Sequence, residues 1–116
     1  MTTKHTDGEA EVRTVIAEME EHDRKISERL HEIISKSAPS LTPRTWYGMP
    51  AYTNGNKIIC FFRSRQKFGE RFMTLGFNDT AKLDDGNMWP IYFALKDLTE
   101  AEEKQITELI KRAAAA

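Results

Sequence analysis

The stretch "YTNGNKIICFF", Tyr52 to Phe62, constrains the fold more than any other part of the chain. Asn54-Gly55 is a dipeptide that tolerates the positive φ of a tight turn, and it lies between two strand-like segments, "MPAYT" and "NKIICFF"; this is the sequence signature of a β-hairpin. The second arm is continuously apolar instead of alternating, so both of its faces must be covered, and it belongs in the middle of a sheet. Two further strands are expected at "RFMTLGF" and "MWPIYFAL", joined by the turn-rich "NDTAKLDDGN", with a short fifth strand around Arg44 to Tyr47. Pro50 and Pro90 lack an N–H and belong at strand starts or edges.

Helical patterning brackets this sheet. From about Asp7 to Lys36, Val12, Val15, Ile16, Met19, Ile26, Leu30, Ile33 and Ile34 follow the i, i+3, i+4, i+7 stripe of one long amphipathic helix. "SAPSLTP" ends it, because a proline biases the residue before it out of the helical region. Near the C-terminus, Thr99 followed three residues later by Glu102 is a capping box, and Ile106, Leu109 and Ile110 give the following helix its apolar stripe. The closing residues, Ala113 to Ala116, offer nothing to anchor them and are expected to fray. The pattern is a single α+β domain over residues 1–116: an antiparallel sheet of four to five strands flanked by a long N-terminal helix and a C-terminal helix.

With 17 basic and 18 acidic residues, the composition argues against a dedicated nucleic-acid or membrane-surface binder unless charge is strongly segregated. The single cysteine, Cys60, sits within "IICFF", where a buried reduced thiol fits. The N-terminus has no apolar leader and no apolar run approaches about 18 residues, so a cytoplasmic protein is the expectation.

Catalytic motifs fail on inspection. His31-Glu32 begins like a zinc-binding His-Glu-x-x-His pair, but Ser35 stands where the second histidine belongs. Asp79, Asp84 and Asp85 do not have the alternating spacing of a calcium loop. "RSRQKFGERF" interleaves arginine and phenylalanine as single-strand nucleic-acid binders do, although a charged strand connection is the simpler account. The first helix is acidic; Glu18, Glu21 and His22 are the candidate ligands for a weak surface site for iron. Asp23 lies on the apolar stripe, where a carboxylate needs a buried donor, expected from the segment Arg44 to Tyr47. The best binding-site candidate is aromatic. Trp46, Tyr47, Met49, Pro50 and Tyr52, with Trp89 and Tyr92 from "NMWPIYF", can line a small-ligand pocket or a protein-interaction surface, or can simply fill the core.

The series "YGMPAY", a hairpin into "KIICFF", "TLGF" and a final "LTEAEE" helix resembles the YdhG-like family, a bacterial domain in the wider frataxin-like iron-chaperone grouping. "MTLGFND" stands where many members carry a "HIGFYP"-like strand. The resemblance covers most of the chain. It implies a small α+β cytoplasmic domain without established catalysis, with iron delivery through acidic surface residues in its best studied members. The partners to be considered for the chain are iron, a small molecule and, in a homodimer, a second copy of itself.

Overall fold

In the computed structural model, which describes residues 2–115, the "KIICFF" run is β3 (Lys57–Arg63), the middle strand of a five-stranded antiparallel sheet. The strand order is β1 (Thr42–Trp46), β2 (Met49–Asn54), β3, β4 (Met73–Phe77) and β5 (Tyr92–Leu95), each strand pairing with its neighbour in sequence. Helices α1 (Thr2–Ala17) and α2 (Glu21–Ser37) precede the sheet, a single turn α3 (Arg65–Phe68) links β3 to β4, and α4 (Glu100–Ala113) closes the chain. The fifth strand expected near Arg44 is β1, and β3 is buried on both faces.

The single long helix expected over Asp7 to Lys36 is two helices. A continuous helix of that length would run about 45 Å at 1.5 Å per residue. The whole domain measures 38 × 36 × 25 Å. Breaking at Glu18–Glu20 folds α2 back beside α1, so that Val12 and Ile16 of one helix and Leu30 and Ile34 of the other enter the same core. Glu9 and His31, which a straight helix would hold about 33 Å apart, are hydrogen-bonded at 2.8 Å.

The hairpin turn between β2 and β3 also differs by one position. Asn54 pairs with Lys57, leaving Gly55 and Asn56 as the central residues; Gly55 has φ 67°, the positive first position of a type II′ turn. Only the second half of "MWPIYFAL" forms a strand, since Pro90 cannot donate to the ladder. At the C-terminus Thr99 N–H donates to Glu102 at 2.7 Å, completing the capping box. Ala113 is anchored after all: it is buried, and its carbonyl accepts from Lys82 N–H at 3.2 Å.

A slip between Tyr52 and Thr53 leaves Ile59 as an extra residue in β3. Both Ile59 and Cys60 therefore turn towards the helices, a bulge that adds one more apolar side chain to the main core. That core joins α1, α2 and α4 to one face of the sheet. Among the described residues no helix is long and apolar enough to cross a membrane.

Candidate functional site

Residues directly opposite one another in an antiparallel ladder point to the same face. Pairing aligns Arg44, Ala51, Phe61, Gly76 and Tyr92 in one row across all five strands. The row lies on the face away from the main core. Met49, Ala51 and Phe61, with Trp46 and Ile58 against them, make a second apolar cluster built from strand residues alone. The sheet thus has one face under helices and one face bearing its own aromatic layer.

That layer is continuous. Ring centroids lie 5.3 Å apart for Tyr47 and Trp46, 5.4 Å for Trp46 and Phe61, and 5.9 Å for Phe61 and Tyr92, all edge-to-face. The Phe61 ring rests on Gly76, where any side chain would displace it. Tyr47 is 80% exposed and Tyr92 61%, so both ends of the path face water. Large exposed aromatics gathered on one surface mark interaction sites more often than isolated ones do.

Tyr47 and Gly48 are the two loop residues of the β1–β2 hairpin, since Trp46 pairs with Met49. Both have positive φ, 52° and 74°, as a type I′ turn requires. Glycine accepts this at no cost, whereas a tyrosine there is strained by about 1–2 kcal/mol. The turn places an exposed phenol ring at the hairpin tip, edge-to-face with Trp46. Tyr47→Asn, which suits the left-handed region, is expected to raise stability by about 1 kcal/mol, read as a higher midpoint in urea. A lower midpoint would show that the tyrosine ring contributes more to folding than its backbone costs.

The seven aromatic-segment residues do not line one concavity. Trp46, Tyr47, Met49 and Tyr92 belong to the outer face, with Met49 buried beneath it. Tyr52 and Trp89 pack on the main core, and Pro50 is buried near the start of β2. Met49 and Pro50 border a groove of about 460 Å³ beside α3, with Glu18, Met19, Lys67 and Phe68. The alternation expected along β2 holds: residues 49 and 51 face outward, while Tyr52 faces the helices.

Buried polar groups tie the helices to the sheet. Asp23 is 2% exposed, as its place on the stripe requires, but its donors come from Arg65 and not from Arg44 to Tyr47. The backbone N–H of Arg65 donates to it at 2.8 Å and Nε at 3.1 Å. Because α2 starts afresh after the break, its first turn lies against the end of β3, where Arg65 follows. Deeper in, His31 Nε2–H donates to Glu9 at 2.8 Å, and Nδ1 lies 2.7 Å from the Tyr52 hydroxyl.

Glu9, His31 and Tyr52 form a hydrogen-bonded chain. Burial pushes the Cys60 thiol up to about 12 and the Tyr52 phenol well above its ordinary value. Neither supplies an anionic nucleophile at neutral pH. The chain of hydrogen bonds is a brace between α1, α2 and β2. Burial works to raise the Glu9 carboxyl, yet the hydrogen bond and charge of His31, aided by Arg13, outweigh it and hold Glu9 below its ordinary 4.5. A carboxyl depressed in the folded state adds stability above its unfolded value and loses it as pH falls through the folded one. The wild-type chain is therefore expected to lose stability below pH 4.5 more steeply than Glu9→Gln, as urea midpoints measured across that range will show.

Two of the three candidate iron ligands have other partners. Glu21 is paired with Lys25 at 3.1 Å, and His22 Nδ1 lies 3.2 Å from Asp23 and 3.3 Å from Arg65. Among the described residues no group of three or more His, Cys, Asp or Glu side chains is placed to hold one ion.

Charge, by contrast, is sorted by the fold. Residues 38–78, which build β1 to β4 and α3, contain Arg44, Lys57, Arg63, Arg65, Lys67 and Arg71 and a single acid, Glu70. Glu70 is held by Arg63 through two bonds of 3.0 and 2.9 Å. Among the described residues none in the five strands is acidic. Compared with protein-family models, curated proteins and solved structures, the chain matches none.

Proposed function

We propose that this chain is a non-enzymatic interaction module whose working surface is the outer face of its sheet, centred on Tyr47, Trp46, Phe61 and Tyr92. The observation that carries this reading is Tyr47: a bulky residue kept in a left-handed turn conformation and left 80% exposed. Backbone strain of this kind persists where a function selects the side chain. The test is a photo-crosslinking residue placed at Tyr47 or Tyr92 in living cells, with Glu108 on the exposed side of α4 as the control position. Adducts are expected at the first two positions and not at the third. Equal yields at all three would overturn the reading.

A second reading is weak iron binding within the YdhG-like resemblance. It is supported by the acidity of the helical layer, where α1, α2 and the turn between them hold nine of the 18 acidic residues. Exposed carboxylates bind divalent metals weakly and with little selectivity. Anaerobic titration with Fe²⁺ should then shift amide resonances around Glu18, Glu21 and His22, less so as pH falls. A flat titration removes iron and leaves the sheet face.

A further inference from the structure

We infer that the outer sheet face binds single-stranded nucleic acid, the bases stacking on Tyr47 and Tyr92 and the phosphates meeting Arg44 and Lys67. The inference rests on the reading of that face as the working surface and names its occupant. Three observations converge on it. The first is the run of rings from Tyr47 to Tyr92, whose exposed ends offer two stacking platforms on an open sheet. Open sheets with exposed aromatics accept two or three unpaired bases in this way, and stacking tolerates any base because each has a π face.

The second is charge. The near-neutral composition argues against a nucleic-acid partner only if its charges are mixed, and here they are not. The strands carry no acid, and Arg63 already compensates the one acid of the segment. Arg44 stands in the same row as Phe61 and Tyr92, and Lys67 Nζ lies 3.3 Å from the Gly48 carbonyl at the hairpin tip. Cations thus lie at the same end of the row as Tyr47.

The third is geometry. The apolar cluster of this face is built from strand residues alone and crossed by rings, so unpaired bases suit it and duplex does not. An acidic protein surface would satisfy the cations, but it would leave the exposed Tyr47 ring without a flat partner.

The test uses the intact chain and a fluorescein-labelled oligothymidine or oligouridine of about ten nucleotides, followed by anisotropy, with Trp46 quenching read in Trp89→Phe. Saturable binding is expected, with log affinity falling against log salt at about −0.7 per phosphate neutralised. Arg44→Ala and Lys67→Ala should each make that slope shallower by about 0.7. Tyr47→Ser should weaken binding by about tenfold or more while the slope stays unchanged. Duplex of the same sequence should compete poorly. No anisotropy change at low salt, or binding indifferent to Tyr47, Arg44 and Lys67, overturns the proposal. Crosslinks at Tyr47 that contain protein and resist nuclease would overturn it too, while leaving the working surface itself in place. Adducts that collapse on nuclease treatment would support it.

Discussion

Asp23→Ala is expected to destabilise the chain by about 3 kcal/mol, near the lower end of what removing one partner of a buried pair costs. The loss has two parts. Alanine leaves the Arg65 backbone N–H, now paired at 2.8 Å, without an acceptor in the interior, and it removes the ion pair with Nε. The effect stops short of the upper end because the Arg65 side chain is 37% exposed and can turn to water. Asp23→Asn keeps an oxygen for the backbone N–H and should lose about half as much. Urea unfolding of the three proteins checks the order. Equal stability of wild type and Asp23→Ala would mean that the first turn of α2 is not held to the end of β3 as described.

The second large effect concerns Gly8. In an unpacked helix, glycine to alanine gains about 1 kcal/mol. Here a Cβ would overlap the Pro43 carbonyl, a backbone group that cannot swing aside, because α1 lies directly on β1. Gly8→Ala is therefore expected to cost about 2–3 kcal/mol, as overpacking does, with the sign of the change as the decisive reading. Lifting α1 also withdraws Glu9 from His31. The variant should accordingly lose the extra acid sensitivity that Glu9 confers, while Ala10→Gly, on the exposed side of α1, should show only the ordinary propensity cost of about 1 kcal/mol.

The sheet was readable because its signals are local. The unbroken apolar run Ile58 to Phe62 demanded cover on two sides, and the Asn-Gly dipeptide marked its hairpin to within one residue. The helix break was not readable, because Glu18, Met19 and Glu20 include neither proline nor glycine, and the apolar stripe keeps its phase across them. The break lets apolar residues of both α1 and α2 enter one core, a tertiary arrangement that no window of residues carries. Asp23 was legible as a buried carboxylate from its angle on the stripe, but its partner depended on that same break.

At the candidate site the types of residue were visible and their sorting was not. Trp46, Tyr47, Met49 and Tyr92 share the outer face with Phe61, whereas Tyr52 and Trp89 belong to the helix side. Strand alternation separates Met49 from Tyr52, but only the pairing of β4 with β5 puts Tyr92 in the row of Phe61. Two signals were present in the sequence. Gly48, set between two strand-like segments, supplies a positive-φ position for a hairpin turn, and six basic residues with one acid fall between 38 and 78, the stretch that builds β1 to β4 and α3. A net charge of −1 for the whole chain conceals that local excess.

Function and stability should diverge at Tyr47. Asparagine there relieves the turn, so a variant that is more stable and less able to bind is the combination expected of a residue retained for its ring.

The claim that the outer face is the working surface is tested most directly by oxidative footprinting in intact cells against the purified chain. Tyr47, Tyr92 and Met88 are 80%, 61% and 89% exposed, so all three should be modified readily in the purified protein. In cells the two tyrosines are expected to be protected several-fold, while Met88, in the loop before β5, stays as reactive as before. Tyrosines modified as readily in cells as in isolation, in step with Met88, would contradict an occupied sheet face.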